Sequence, residues 1–137
     1  SSELADVGSQ VAIEITLEGL RVQFFDEDKL SMFEVGSSDL KPKAKSMIKA
    51  FGGVLKNIPN EIAITGHTDA RKFSREGVYS NWELSSDRAN AARRAILEGG
   101  VPSSKIARIE GRADNDLLNE FDPEDSRNRR INFLILR

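Results

Sequence analysis

The strongest constraint on the fold lies between residues 11 and 25. Val11, Ile13, Ile15 and Leu17 hold odd positions, and Leu20, Val22 and Phe24 hold even ones, so the alternation changes parity at Glu18-Gly19. A period of two marks a strand with one buried face, and a parity change in mid-run is what a tight turn produces. Folded at Glu18-Gly19, the two halves set Leu17 against Leu20, Ile15 against Val22 and Ile13 against Phe24. The segment therefore reads as a β-hairpin with its apolar side chains on one face. A lone hairpin cannot bury such a face, so the rest of the chain must cover it.

Two helices are available for that cover. Residues 26–38 are acidic and Ser-containing and read as a loop; Asp39 and Pro42 then open a helix, where the missing N–H of Pro costs little. Ala44, Met47, Ile48, Phe51, Leu55 and Ile58 follow at the spacing of one helical face. Gly52-Gly53 weakens this helix by about 1 kcal/mol per Gly relative to Ala, and Pro59-Asn60 ends it. The second helix starts after Ser80, which with Glu83 forms a capping box, or after the rival cap Ser85, and it runs to Glu98. Its inner face is Ala91, Ala92, Ala95 and Ile96, small enough to sit close on a sheet, and Gly99-Gly100 with Pro102 stops it.

Three further strands complete the pattern: residues 61–66, 105–111 and 131–136, the last apolar enough to be central. The order β-β-α-β-α-β-β predicts an α/β protein of the α+β sandwich type, a mixed sheet with both main helices packed on one face. Residues 1–137 read as a single domain, with 1–10 as a linker remnant.

Composition removes several classes. With 39% hydrophobic residues and a net charge of −2, the chain is neither disordered nor a binder of nucleic acid by bulk charge. With no Cys it carries no disulfide or Cys-ligated metal, and its one His argues against a metal site or other cofactor. No apolar run reaches the length that spans a bilayer.

Chemistry-bearing residues gather where strands end. Thr65-Gly66-His67-Thr68-Asp69 leaves a strand for a loop. His67 reads as a packed, hydrogen-bonded histidine, because neither a Gly-x-Ser-x-Gly elbow nor a second His accompanies it. Asp69 lies just past a central strand, and Arg88 lies in or near the first turn of the second helix, which the crossover brings to the same end. The two either form a simple salt bridge or flank a cleft. Arg129 and Arg130 enter the last strand and point to opposite faces, so at least one can reach this region. A carboxylate, a guanidinium, helix N-terminal amides and Thr or Asn donors together suit a zwitterion: the acid takes an ammonium, and the Arg and amides take a carboxylate. Nothing in the set is an activated nucleophile, so the expected role is binding and not catalysis.

These motifs carry a resemblance. Gly66-His67-Thr68-Asp69-Ala70, the string from Asn81-Trp82 through Asp87-Arg88-Ala89-Asn90, and Asn128-Arg129-Arg130 resemble the OmpA-like peptidoglycan-binding domain. Together with Met32-Phe33, Pro59-Asn60 and Phe121-Asp122-Pro123 they are similar to its flagellar motor stator branch, the MotB family, from about Val11 to Leu136. The resemblance implies non-covalent binding of peptidoglycan through the diaminopimelate of its stem peptide. Asp69 and Arg88 would grip the amine and carboxylate, Thr68 and Asn81 would line the pocket, and Arg129 or Arg130 would support it. It also implies a periplasmic domain of an inner-membrane protein, dimeric, whose membrane segment lies outside this sequence and pairs with MotA. A tethering domain of another envelope protein, of lipoprotein or porin type, is the alternative; a wall hydrolase using His67 and Asp69 is the least supported. Two departures stand out: residues 114–118 lack the Pro expected of the family, and Arg112 follows Gly111.

Overall fold

A computed structural model describes residues 10–27, 29–72 and 77–137. Five strands and two main helices follow in the expected order: β1 (Val11–Ile15), β2 (Gly19–Phe25), α1 (Pro42–Leu55), β3 (Ile62–His67), α2 (Asn81–Glu98), β4 (Ile106–Gly111) and β5 (Arg130–Leu136). The sheet order is β1-β2-β5-β3-β4. β3 and β4 are parallel, as a strand–helix–strand crossover requires, and the other pairs are antiparallel. The apolar last strand is the middle one, buried by β2 on one side and β3 on the other.

The hairpin forms with a different register from the expected one. Its closing pair is Thr16–Gly19, with Leu17-Glu18 at the tip, so Ile15 pairs with Leu20, Ile13 with Val22 and Val11 with Phe24. Parity is unchanged, because this pairing differs from the expected one by two residues. The side chains stay on the predicted face, but its cover reaches Val22 and Phe24 and not Ile13 or Ile15, which are exposed, and Leu17 becomes an exposed tip residue. Gly19 decides the matter. It has φ +152° and lies against β5, where a Cβ would stand 2.0 Å from the Ile135 carbonyl oxygen. It is needed as the first residue of a strand and not as the second residue of the turn.

The core lies between the sheet and the helices. Phe24 of β2, Phe51 of α1 and Phe133 of β5 meet edge to face with centroids 5.2 to 5.5 Å apart. Ala44, Met47, Ile48, Phe51 and Leu55 are the buried stripe of α1; Ile58 packs against it from beyond the helix end. Ala91, Ala92, Ala95 and Ile96 are buried as the inner face of α2. Helix α2 starts at the Ser80 capping box with Glu83, and the rival cap Ser85 is a buried residue within it. Of the expected linker, residues 1–9 lie outside the described residues. Gln10 is buried and donates to the carbonyls of Phe25 and Leu30. Among the described residues, no helix is long and apolar enough to cross a membrane.

Candidate functional site

Two glycines bring the start of α2 onto the ends of β3 and β4. Gly66 and Gly111 are register partners on adjacent strands. A Cβ on Gly66 would meet the Ser85 carbonyl oxygen at 2.2 Å, and one on Gly111 would meet the Ser86 amide at 2.6 Å. No side chain larger than hydrogen allows this approach. The buried Ser85 hydroxyl then accepts from the Ala113 amide at 3.0 Å, and the Ala113 carbonyl accepts from the Thr68 amide at 2.8 Å. The loop after β3 is thereby fastened under the helix, which sets Thr68 and Asp69 beside Arg88.

The result is a cavity of about 260 Å³. Asp69, Arg88, Thr68 and Arg129 all line it, with Ser31, Arg71 and Lys72 among its polar walls and Phe33, Val35 and Leu84 among its apolar ones. Asp69 and Arg88 are only 5% and 6% exposed. They share the cavity but form no salt bridge with each other. Arg88 donates from Nε to the Ser37 carbonyl at 2.8 Å and from Nη2 to the Glu34 carbonyl at 3.4 Å, and its guanidinium lies 4.8 Å over the Phe33 ring. Burial lowers its pKa from the ordinary guanidinium value, while Asp26 and, more weakly, Asp69 oppose the shift. The side chain remains a cation whose charge, among the described residues, backbone carbonyls and a ring face offset at contact distance.

Asp69 is held by other residues. Its Oδ1 accepts from the Arg71 amide at 2.9 Å, and its Oδ2 lies 2.5 Å from Arg129 Nη1 and 3.6 Å from Arg71 Nε. Arg129 also donates from Nε to Asp26 Oδ2 at 2.9 Å. Burial pulls the Arg129 pKa down, but the bonds to Asp26 and Asp69 outweigh it and raise the value overall. Asp26 and Phe33 are site components that the sequence reading left inside an acidic loop. The available signal was an acid directly after the apolar pair Phe24-Phe25, a carboxylate placed where a strand leaves the core.

Three expectations need correction. Arg130 leaves β5 on the opposite side from Arg129 and does not line the cavity. It donates to Gln23 Oε1, the Asn128 carbonyl and the Asp116 carbonyl. Asn81 does not line it either; its Nδ2 donates to the Arg71 carbonyl at 2.9 Å and so braces the loop that carries Asp69. The helix amides of Trp82, Glu83 and Leu84 are also engaged within the helix cap. Those of Trp82 and Glu83 bond the Ser80 side chain, Leu84 N–H bonds the Ser80 carbonyl, and Arg88 falls in the second turn of α2. His67 is packed as expected: it is 4% exposed, with Nε2 3.3 Å from Asn132 Nδ2. Burial, then the nearby Arg130 cation, lowers its pKa to about 3, so it is neutral near pH 7.

The model of the OmpA family matches residues 32–130, a stretch that runs from the loop under Arg88 to the start of β5. The chain belongs to the OmpA family. Within that family it is 45% identical over 125 residues to Motility protein B of Escherichia coli K12, covering 90% of this chain and 41% of the relative. It is 38% identical over 132 residues to the putative truncated flagellar export/assembly protein LafU of the same strain, covering 96% of this chain and 62% of that one. This OmpA-family chain thus spans less than two thirds of the length of these curated relatives. Among solved structures, the periplasmic domain of Helicobacter pylori MotB (residues 90–256) superposes with a TM-score of 0.81 at 17% identity, covering 97% of this chain and 83% of that one. The cell wall anchor of the type VI secretion system of Pseudomonas aeruginosa superposes with a TM-score of 0.77 at 23% identity, covering 98% and 94%. At these identities the two structures establish the shared fold.

Proposed function

We propose that this domain binds peptidoglycan non-covalently and anchors a flagellar motor stator to the cell wall. The observation that carries the reading is the placement of Asp69 and Arg88, nearly buried and unpaired with each other, in the walls of one cavity. The diaminopimelate of a peptidoglycan stem peptide ends in an ammonium and a carboxylate on one carbon, joined to an aliphatic chain. Asp69 receives the ammonium, Arg88 the carboxylate, and Phe33, Val35 and Leu84 the methylenes. The Thr68 hydroxyl donates to the Asp69 carbonyl at 2.9 Å, which stiffens the loop at the point of contact. Fixed charges in a partly desolvated recess bind more strongly than the same charges in water. None of these roles needs a nucleophile or a cofactor.

The stator assignment, over a wall-tethering lipoprotein or porin domain, follows the similarity to motility protein B and not the fold, which all such anchors share. In this reading the domain works as one of a homodimeric pair in the periplasm, and MotA joins the stator at its membrane part. Co-sedimentation with purified peptidoglycan tests the binding. The wild-type chain should pellet, and Asp69→Ala or Arg88→Ala should each weaken binding roughly 10- to 150-fold, the loss of one charged hydrogen-bonded contact. Full binding by both variants overturns the assignment of the pocket.

A further inference from the structure

We propose that Asp26, which does not line the cavity, determines which ligands it accepts: by sharing Arg129 it leaves Asp69 with negative charge to offer a ligand cation. This rests on the reading of the cavity as a zwitterion pocket and adds a residue that makes it one.

The geometry is a chain of three charges. Asp26 is 2% exposed. Its Oδ1 accepts from the Met32 amide at 2.8 Å, and its Oδ2 accepts from the Ser31 hydroxyl at 3.0 Å and from Arg129 Nε at 2.9 Å. The far end of the same guanidinium holds Asp69. Two carboxylates thus divide one cation, and the trio keeps a net charge of −1. Without Asp26, Arg129 would neutralise Asp69 alone. The buried charge left in the walls would then be Arg88, and the recess would select anions. Arg71 and Lys72 also line the cavity, but both are exposed at its mouth, and Arg71 is shared between Asp69 at 3.6 Å and Glu124 at 3.7 Å. Screened charges of that kind weigh less than the buried trio. Asp26 also fixes the first turn of the loop whose Glu34 and Ser37 carbonyls hold Arg88, so it touches both halves of the site through backbone and guanidinium and neither half directly.

The test separates charge sharing from loss of structure. Calorimetric titrations of this chain use two probes: a stem peptide carrying meso-diaminopimelate, and the same peptide with its side-chain amine acetylated. The wild type should bind the free-amine peptide at least about tenfold more tightly. In Asp26→Asn that preference should fall to within about threefold, with the acetylated peptide bound as well as by the wild type. A purely structural role weakens both peptides alike, and that result overturns the proposal, as does a preference kept in full. A wild type indifferent to acetylation overturns the zwitterion reading and the proposal together. The variant Asp26→Asn with Arg129→Gln keeps the net charge of the trio at −1, now carried by Asp69 alone, and it serves if the single variant does not fold. Asp69 there regains its full charge, so the amine preference should equal or exceed that of the wild type; its disappearance sinks the proposal.

Discussion

His67 sits between the motif that holds Asp69 and the sheet face that holds Arg130, and its chemistry follows from burial. Its folded pKa is about 3 against an ordinary value of 6.5. The unfolded chain therefore takes up a proton first as pH falls. The sign follows: the contribution of His67 to stability is fully present above about pH 6.5 and is lost progressively down to about pH 3, at ~1.4 kcal/mol per unit. Urea unfolding of wild type and His67→Gln at pH 7 and pH 4 checks this. The difference in unfolding free energy between the two should move by roughly 3 kcal/mol against the wild type on acidification. A constant difference would mean that His67 titrates normally in the folded chain. The motif announced this residue as packed because it had no plausible co-ligand or nucleophile. The partner Asn132 was not legible, since β5 and β3 meet only through the sheet order. For the same reason Arg129 and Arg130 could be assigned to opposite faces but not to their acceptors, which are the Asp26 and Asp69 carboxylates for Arg129 and the Gln23 amide oxygen with the Asn128 and Asp116 backbone carbonyls for Arg130.

At the scale of elements, the adjacent glycines of α1 behave oppositely. The sequence reads Gly52-Gly53 as a weak point in a helix. In the structure a Cβ on Gly52 would lie 2.6 Å from the Ile96 carbonyl oxygen and 2.8 Å from the Ile96 Cα, both backbone atoms of α2. Gly52 is therefore the crossing contact of the two helices, and the spacing of apolar residues carries no trace of it. Gly53 has only the Gly99 carbonyl oxygen nearby, at 3.9 Å. Gly52→Ala should destabilise by about 1 to 3 kcal/mol, because two packed backbones must separate. Gly53→Ala should stabilise by about 0.5 to 1 kcal/mol through helix propensity. Thermal or denaturant unfolding of the pair decides it, and equal signs would refute the crossing geometry. Element order, the buried stripes of both helices and the central place of β5 were all readable, because periodicity reports which face is buried. Register was not: pairings that differ by two residues bury the same face, and only the contact of Gly19 with β5 chooses between them.

For the whole molecule, the decisive property is that the site has no local existence. The bond from Arg129 to Asp26 joins residues 103 apart in sequence, that from Arg129 to Asp69 joins residues 60 apart, and that from Arg88 to the Ser37 carbonyl joins residues 51 apart. The cavity is assembled only when β2, β3, α2 and β5 are all docked, so the unfolded chain offers a ligand nothing comparable. A ligand that binds only the folded state stabilises it by mass action, by about 2.7 kcal/mol at one hundred times the dissociation constant. For a domain of this size unfolding in one step, that gain raises the unfolding midpoint by roughly 5 to 15 °C. Calorimetric scans with and without a diaminopimelate stem peptide should show the rise in the wild type. They should show it equally in Arg94→Ala, which changes an exposed residue of α2. Arg88→Ala should cut the gain at the same ligand concentration to about 0.3 to 1.4 kcal/mol, because the carboxylate of the ligand loses its cation, whatever the variant does to the midpoint of the free chain. A ligand-induced rise that survives undiminished in Arg88→Ala would place the binding elsewhere on the molecule, and the cavity would then be a consequence of packing alone.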